Sequence, residues 1–205
     1  MEKMARKKKD SEESVEKIER AALMLFARNG YSETSLEQVA DEAGFTKGAV
    51  YYYFKTKVAL LVHLLNRIRE RSIVVTQQHI REQTGGTVDK LLTFVQKQAR
   101  WASEYPDDLV ILILTSLQFR ESDTPARQAV RAYYDVMNDV LTDIFTQGVQ
   151  KGDISTELDI QATILANIAR HDGNMLLWYR SGRDPEVGRM LTQASCAAVR
   201  RYGVT

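Results

Sequence analysis

Gly44–Lys57 reads G-F-T-K-G-A-V-Y-Y-Y-F-K-T-K, and its reading decides the fold. Three tyrosines and a phenylalanine stand in a row among three lysines, with no acid between Thr46 and Ala59. Consecutive aromatics are ordinary core material, whereas lysines without acids suit a polyanion. A helical rotation of 100° per residue splits the run between these two roles. With Val50 and Phe54 turned inward, Gly48, Tyr52 and Lys55 point roughly opposite. Lys47 and Tyr51 lie to the sides, and Tyr53 leans inward with its hydroxyl reaching out.

Upstream, Leu36–Ala43 reads as a short helix with Leu36, Val39, Ala40 and Ala43 inward. Thr34-Ser35-Leu36-Glu37 fits a capping box in which Thr34 caps and Glu37 reaches back. Gly44 supplies the positive φ of a tight turn, and Ala40 the small side chain where a second helix crosses closely. Thr46 can cap that second helix. A first helix is expected from about Ser11 to Gly30, with Val15, Ile18, Ala22, Leu25 and Phe26 on one face. Together these make a helix-turn-helix of three short elements.

Downstream, every segment keeps helical period and none shows sustained strand alternation, so the fold is expected to be all-α. A long helix is expected over 57–83, broken by Gly85-Gly86. Further helices follow near 87–103, 107–119, 125–151, 158–181 and 185–202, separated by Pro, Gly and Ser/Asp stops. The expected division is a DNA-binding domain over 1–55, with 1–10 a basic flexible arm, and a larger helical body over 56–205.

Composition narrows the function. The 205 residues are 44% hydrophobic and 27% charged, with net charge +1, so any basic patch is local. A single cysteine, Cys196, excludes an intrachain disulfide and the cysteine clusters of most structural zinc sites. The longest apolar run, Leu109–Leu117, is about half of the ~20 residues a membrane span needs. No apolar segment follows the basic Arg6–Lys9, so a secretory signal is not expected, and a cytoplasmic protein is the plain expectation. His171-Asp172 invites comparison with helical metal phosphohydrolases. That chemistry needs more His and Asp ligands, and only His63 and His79 remain. Neither catalytic residues nor a metal or cofactor are therefore expected.

The residues from Phe26-Ala27-Arg28-Asn29-Gly30-Tyr31 through Thr34-Ser35-Leu36, Val39-Ala40 and Ala43–Lys57 to Leu60-Leu61 resemble the N-terminal signature of the tetracycline-repressor (TetR) family. The resemblance covers about the first third of the chain. It implies a phosphate contact at Thr34 and a major-groove set at Lys47, Gly48, Ala49, Tyr51 and Tyr52, with the capping Thr46 counted among the DNA-binding residues. It also implies phosphate contacts at Tyr53 and Lys57, where the next helix's first amides suit an anion. Similar proteins hold a small molecule among their middle helices. The residues that would line such a pocket here are Trp101, Tyr105, Leu112, Thr115, Phe119, Tyr133, Met137, Asn167, His171, Met175 and Trp178. Asn167, His171 and Asn174 or Met175 form a polar stripe on an otherwise apolar helix; if buried it needs a ligand, a dimer mate or water as partner.

The resemblance further implies a homodimer through the last two helices. Leu176, Leu177, Trp178, Met190, Leu191, Ala194, Ala197, Ala198 and Val199 offer the apolar surface. The expected function is a ligand-responsive repressor that binds a double-stranded, palindromic operator and is released by a small-molecule inducer. The competing reading keeps the DNA-binding head but gives the body a protein partner. A closed apolar cavity would favour the inducer and a filled body the partner.

Overall fold

A computed structural model describes residues 2–119 and 123–203, with side chains from Ser11 onward. Ten α-helices follow one another among the described residues: α1 Glu2–Asn29, α2 Leu36–Ala43, α3 Lys47–Tyr53, α4 Lys57–Arg69, α5 Val75–Glu82, α6 Thr87–Glu104, α7 Pro106–Gln118, α8 Pro125–Lys151, α9 Ile160–Arg180 and α10 Pro185–Arg200. No strand occurs among them; the one ladder contact is an isolated bridge between Ile154 and Gly203. The expected helices are all present, and most of their ends fall within two residues of the expected stops.

Three local expectations are corrected. First, α1 starts at Glu2 rather than after Ser11. Apart from Asp10, the stretch before Ser11 is Glu, Lys, Met, Ala and Arg, all good helix formers, with no glycine or proline to stop them. The backbone of the basic arm is therefore helical, while the Arg6–Lys9 side chains lie outside the described residues. Second, Ser35 and not Thr34 caps α2. The Ser35 hydroxyl accepts from the Gln38 amide at 3.1 Å, and the Gln38 side chain accepts from the Ser35 amide at 2.7 Å. Third, the long helix is interrupted between α4 and α5 by a π-helical segment, Glu70–Val74.

Packing groups the chain into two compact units, residues 1–67 with 110–130, and 68–109 with 131–205. The division falls inside α4 rather than at 55/56. Leu60, Leu61 and Leu64 are fully buried on the early turns of α4, and His63 and Arg67 both reach Glu19 of α1. Ile18, Phe26, Val39, Ala40 and Val50 complete the first unit's core. Gly44 closes α2 at φ 73°, and the Phe45 amide reaches back to the Ala40 carbonyl at 2.9 Å. That closure sets α3 against α2.

In the second unit, α6 carries a buried polar network. Ser72 and Tyr133 hydroxyls each donate to the Gln98 side-chain oxygen at 3.1 Å, and the Gln98 side-chain nitrogen donates to the Thr76 hydroxyl at 2.9 Å. Thr76 in turn donates to the Ser72 carbonyl at 2.9 Å, so the cycle closes with each group partnered. Arg71 grips the buried Asp108 through two hydrogen bonds. The π-helical turn puts Arg71 and Ser72, neighbours in sequence, onto two different buried partners.

Candidate nucleic-acid interface and ligand cavity

The rotation of α3 has the split expected of it. Val50 and Phe54 are buried, whereas Lys47, Gly48, Tyr52 and Lys55 are exposed, Tyr52 by 72%. A Cβ placed on Gly48 would meet nothing within 4 Å, so a surface could approach the backbone closely there. Thr46 caps α3 by accepting from the Ala49 amide at 3.2 Å and is itself exposed; Ala49 is half-buried. Tyr53 is half-buried and packs edge-on against Tyr52 with centroids 5.1 Å apart. Lys55 lies over the Tyr52 ring at 5.8 Å. The exposed face is thus aromatic and cationic, with an open backbone at its centre.

Four expected contact residues are engaged within the protein. Lys47 forms an ion pair with Glu37 and lies 5.5 Å from the Tyr51 ring centroid, while the Tyr51 hydroxyl is 3.5 Å from the same carboxylate. The hydrogen bond from Lys47 holds the Glu37 carboxyl down at about 2. Glu37 is free for this because Gln38, not Glu37, completes the capping box. Lys57 donates to the Tyr31 carbonyl at 2.8 Å and the Ser32 carbonyl at 3.1 Å, above the Tyr31 ring at 4.4 Å. It fastens the α1–α2 loop to the start of α4. Thr34 is 1% exposed, and its hydroxyl donates to the Gly30 carbonyl at 2.9 Å with Leu25's at 3.3 Å. Its side chain therefore faces the interior, which corrects the expectation of a phosphate contact through it. Ser35, half-buried at the α2 cap, stands beside it nearer the surface.

Tyr31 and Ser32 meet a further element of the same unit. Phe119 stacks edge-on against Tyr31 at 5.6 Å, and Gln118 donates to the Ser32 hydroxyl at 2.9 Å. The loop that Lys57 holds is thus also held by the end of α7.

The second unit contains a cavity of about 620 Å³ walled by α6, α9 and α10. That size is ordinary for a small-molecule site. Asn167, His171, Met175 and Trp178 line it, as expected. The other seven expected lining residues do not. Trp101, Tyr133 and Met137 are core, with Tyr133 spent on the Gln98 network. Leu112 and Thr115 are buried in the first unit, Phe119 packs on Tyr31, and Tyr105 is exposed beneath Arg71. The cavity opens where side chains are small, at Ala99, Ala102, Gly188 and Ser195, while most of the expected aromatics fill space elsewhere and only Trp178 of them joins Phe94 on its wall. Sequence reasoning missed Arg170, Arg183 and Arg189, which also line it.

A tight α2–Gly44–α3 turn carrying an exposed, acid-poor reading face defines a helix-turn-helix DNA-binding regulator. The particular family of that region follows from comparison: residues 18–64 match the bacterial regulatory proteins of the tetR family, so the chain carries a TetR-type DNA-binding region. Over 141 residues it is 29% identical to the fatty acid metabolism regulator protein of Bacillus subtilis (strain 168), spanning 69% of this chain and 71% of that protein. The crystal structure of the MbdR regulator from Azoarcus sp. CIB superposes with a TM-score of 0.80 at 28% identity, covering 94% of this chain and 100% of that one. The transcriptional regulator FadR from Bacillus subtilis, solved in complex with stearoyl-CoA, shares the fold with a TM-score of 0.76 at 23% identity, covering 89% and 96%. No helix among the described residues is long and apolar enough to cross a membrane.

Proposed function

We propose that the protein is a homodimeric repressor that reads a palindromic operator through paired α3 helices and is released by a small molecule seated between α6, α9 and α10. The observation that carries the effector half is the cavity itself: about 620 Å³, mainly apolar, in the body rather than the DNA-binding unit. A body built only to dock a protein would have no need of that space. FadR with its bound stearoyl-CoA supports an acyl-type effector for the same architecture. Binding would release DNA only in so far as the effector prefers the conformation whose α3 pair no longer fits one helical turn.

Exposed apolar surface on the last two helices supports the dimer. Leu165, Ala166, Ala169, Gly173 and Leu177 share one open face of α9, and Met190, Ala194 and Ala197 one of α10. Large residues alternate with small ones there, which lets two helix pairs approach closely. Val199 is buried, and Trp178 and Leu191 turn to the cavity, so these three leave the interface set. The DNA contacts we assign are Lys47, Gly48, Tyr51, Tyr52 and Tyr53, with Thr46 and Ala49 at the start of the reading helix and Lys57 behind them.

Genomic fragments retained by the purified protein, once sequenced, test the reading. The expected result is a pseudo-palindrome with half-sites about one turn (roughly 10 bp) or a multiple apart. Acyl-CoA thioesters of graded length should then release a fluorescent operator duplex. Retained fragments without two-fold symmetry would overturn the dimeric reading, and an operator complex indifferent to every apolar acid or thioester would overturn the effector.

A further inference from the structure

Two features of the cavity wall point to the chemistry of its occupant. The lining contains three arginines, Arg170, Arg183 and Arg189, and neither aspartate nor glutamate. Arg183 and Arg189 are exposed and each has an acid nearby, Asp107 at 3.9 Å and Glu186 respectively. Arg170 is half-buried; its guanidinium donates to the Asn167 side-chain oxygen at 3.2 Å, and no acid pairs with it among the described residues. The second feature is His171, next along α9. It is 9% exposed, and its Nε2 has no hydrogen-bond partner. Its Nδ1 sits 3.1 Å from the Asp172 carboxylate, which also accepts from the Tyr134 hydroxyl at 3.1 Å. Asp172 can only accept there, so Nδ1 carries a proton and Nε2 is the free end of the ring, an acceptor in the neutral imidazole and a donor to an anion only in the imidazolium. A buried polar atom without a partner is costly, so His171 Nε2 calls for a partner that the described residues do not supply.

We propose that the cavity takes an amphipathic acid, whose apolar body lies against Leu91, Phe94 and Met175 and whose anionic head meets Arg170 and His171 Nε2. This rests on the effector reading above and narrows it by placing an anionic head inside the cavity, at Arg170 and His171. An imidazolium at His171 would have the Asp172 carboxylate at Nδ1 and the ligand's anion at Nε2, so both ring nitrogens donate to charged acceptors. Arg170 adds a planar cation suited to a carboxylate or phosphate. Water could meet Nε2 alone, but it would leave Arg170 without a counter-charge in a wall that holds no acid.

Calorimetry on the full chain with dodecanoate, dodecan-1-ol and dodecanoyl-CoA separates the possibilities. Wild type should bind dodecanoate at least tenfold tighter than dodecan-1-ol, the scale of a hydrogen bond to a charged group. Arg170→Gln and His171→Asn should each bring that ratio towards one while dodecan-1-ol affinity is retained. Asparagine keeps a donor near the Nδ1 position and removes Nε2. Equal binding of acid and alcohol by wild type would overturn the anion site and leave the cavity's effector role standing. Failure of all three probes to bind would overturn both. Tight dodecanoyl-CoA with weak dodecanoate would move the anion to the phosphates and remove Arg170 and His171 from it. Variants that lose acid and alcohol alike would show a structural role only, and would also overturn the assignment.

Discussion

Replacing Lys57 by alanine separates two roles that a single lysine combines. Its ammonium gives two hydrogen bonds to the carbonyls of Tyr31 and Ser32 and lies over the Tyr31 ring. Hydrogen bonds from charged groups contribute about 1.5–3 kcal/mol each when well buried. Here one bond is part-buried and the other exposed, so about 1.5 kcal/mol for the pair is a reasonable discounted figure. The cation–π contact adds roughly 0.5 kcal/mol at a partly exposed site. The loss is then about 2 kcal/mol, a factor of roughly 30 in the folding equilibrium and about 4–8 °C in Tm for a chain of this size. Thermal unfolding of Lys57→Ala against Lys57→Arg measures it, and amide exchange across 30–35 localises it. Operator affinity measured from 50 to 200 mM salt reads the second role. A lost phosphate contact lowers the log–log slope by about 0.9, or roughly 3.5-fold in relative affinity across that range. An alanine variant melting within a degree of wild type would refute the clamp. An unchanged salt slope would remove Lys57 from the phosphate contacts.

Three further outcomes are expected. Tyr52→Ala, on the most exposed ring of α3, should weaken operator binding at least tenfold while random-sequence binding changes little; equal losses on both would end its base-reading role. Glu37→Gln should free Lys47 and raise affinity for random DNA more than for the operator, lowering the specificity ratio. In the same region, carboxyl NMR should show Glu37 titrating near 2. Because the folded-state value is depressed, the pair's small stabilisation is complete above the ordinary 4.5 and fades as pH falls towards 2; titration near 4.5 would show that the pair is not held in solution. Gly148→Ala should destabilise by about 1–3 kcal/mol although alanine is the better helix former, because the added methyl meets the Thr87 hydroxyl at 2.6 Å. Chemical denaturation that finds this variant at or above wild-type stability would refute the close approach of α8 to Thr87.

The DNA-binding unit was legible because its signals are local. Gly44 had to supply a positive φ, Ala40 a small crossing point and Val50 with Phe54 an anchor, and four positions suffice to orient α3. The cap of α2 was misread for an equally local reason. Thr34…Glu37 and Ser35…Gln38 both satisfy the capping pattern, and only burial of the Thr34 hydroxyl chooses between them. Glu37's pairing with Lys47 follows from that choice, so it too was out of reach. The cavity was half legible: the stripe Asn167–His171–Met175 lies on its wall, as a polar row on an apolar helix implies. Its location was not, since aromatic residues were taken to line space that they fill. Empty volume depends on what three helices fail to bring together, and no single helix encodes that.

The π-helical turn at Glu70–Val74 bears on how this chain is compared with others. A ring closed five residues back holds one residue more than the α-helical ring it replaces. Beyond it, every side chain of α5 faces where its predecessor would have faced. A relative whose corresponding helix is regular throughout will align with this one only across a single-residue gap inside a helix. Such a gap would be taken for a loop or an alignment fault. It is instead an added residue at the segment from which Arg71 reaches Asp108 and Ser72 reaches Gln98.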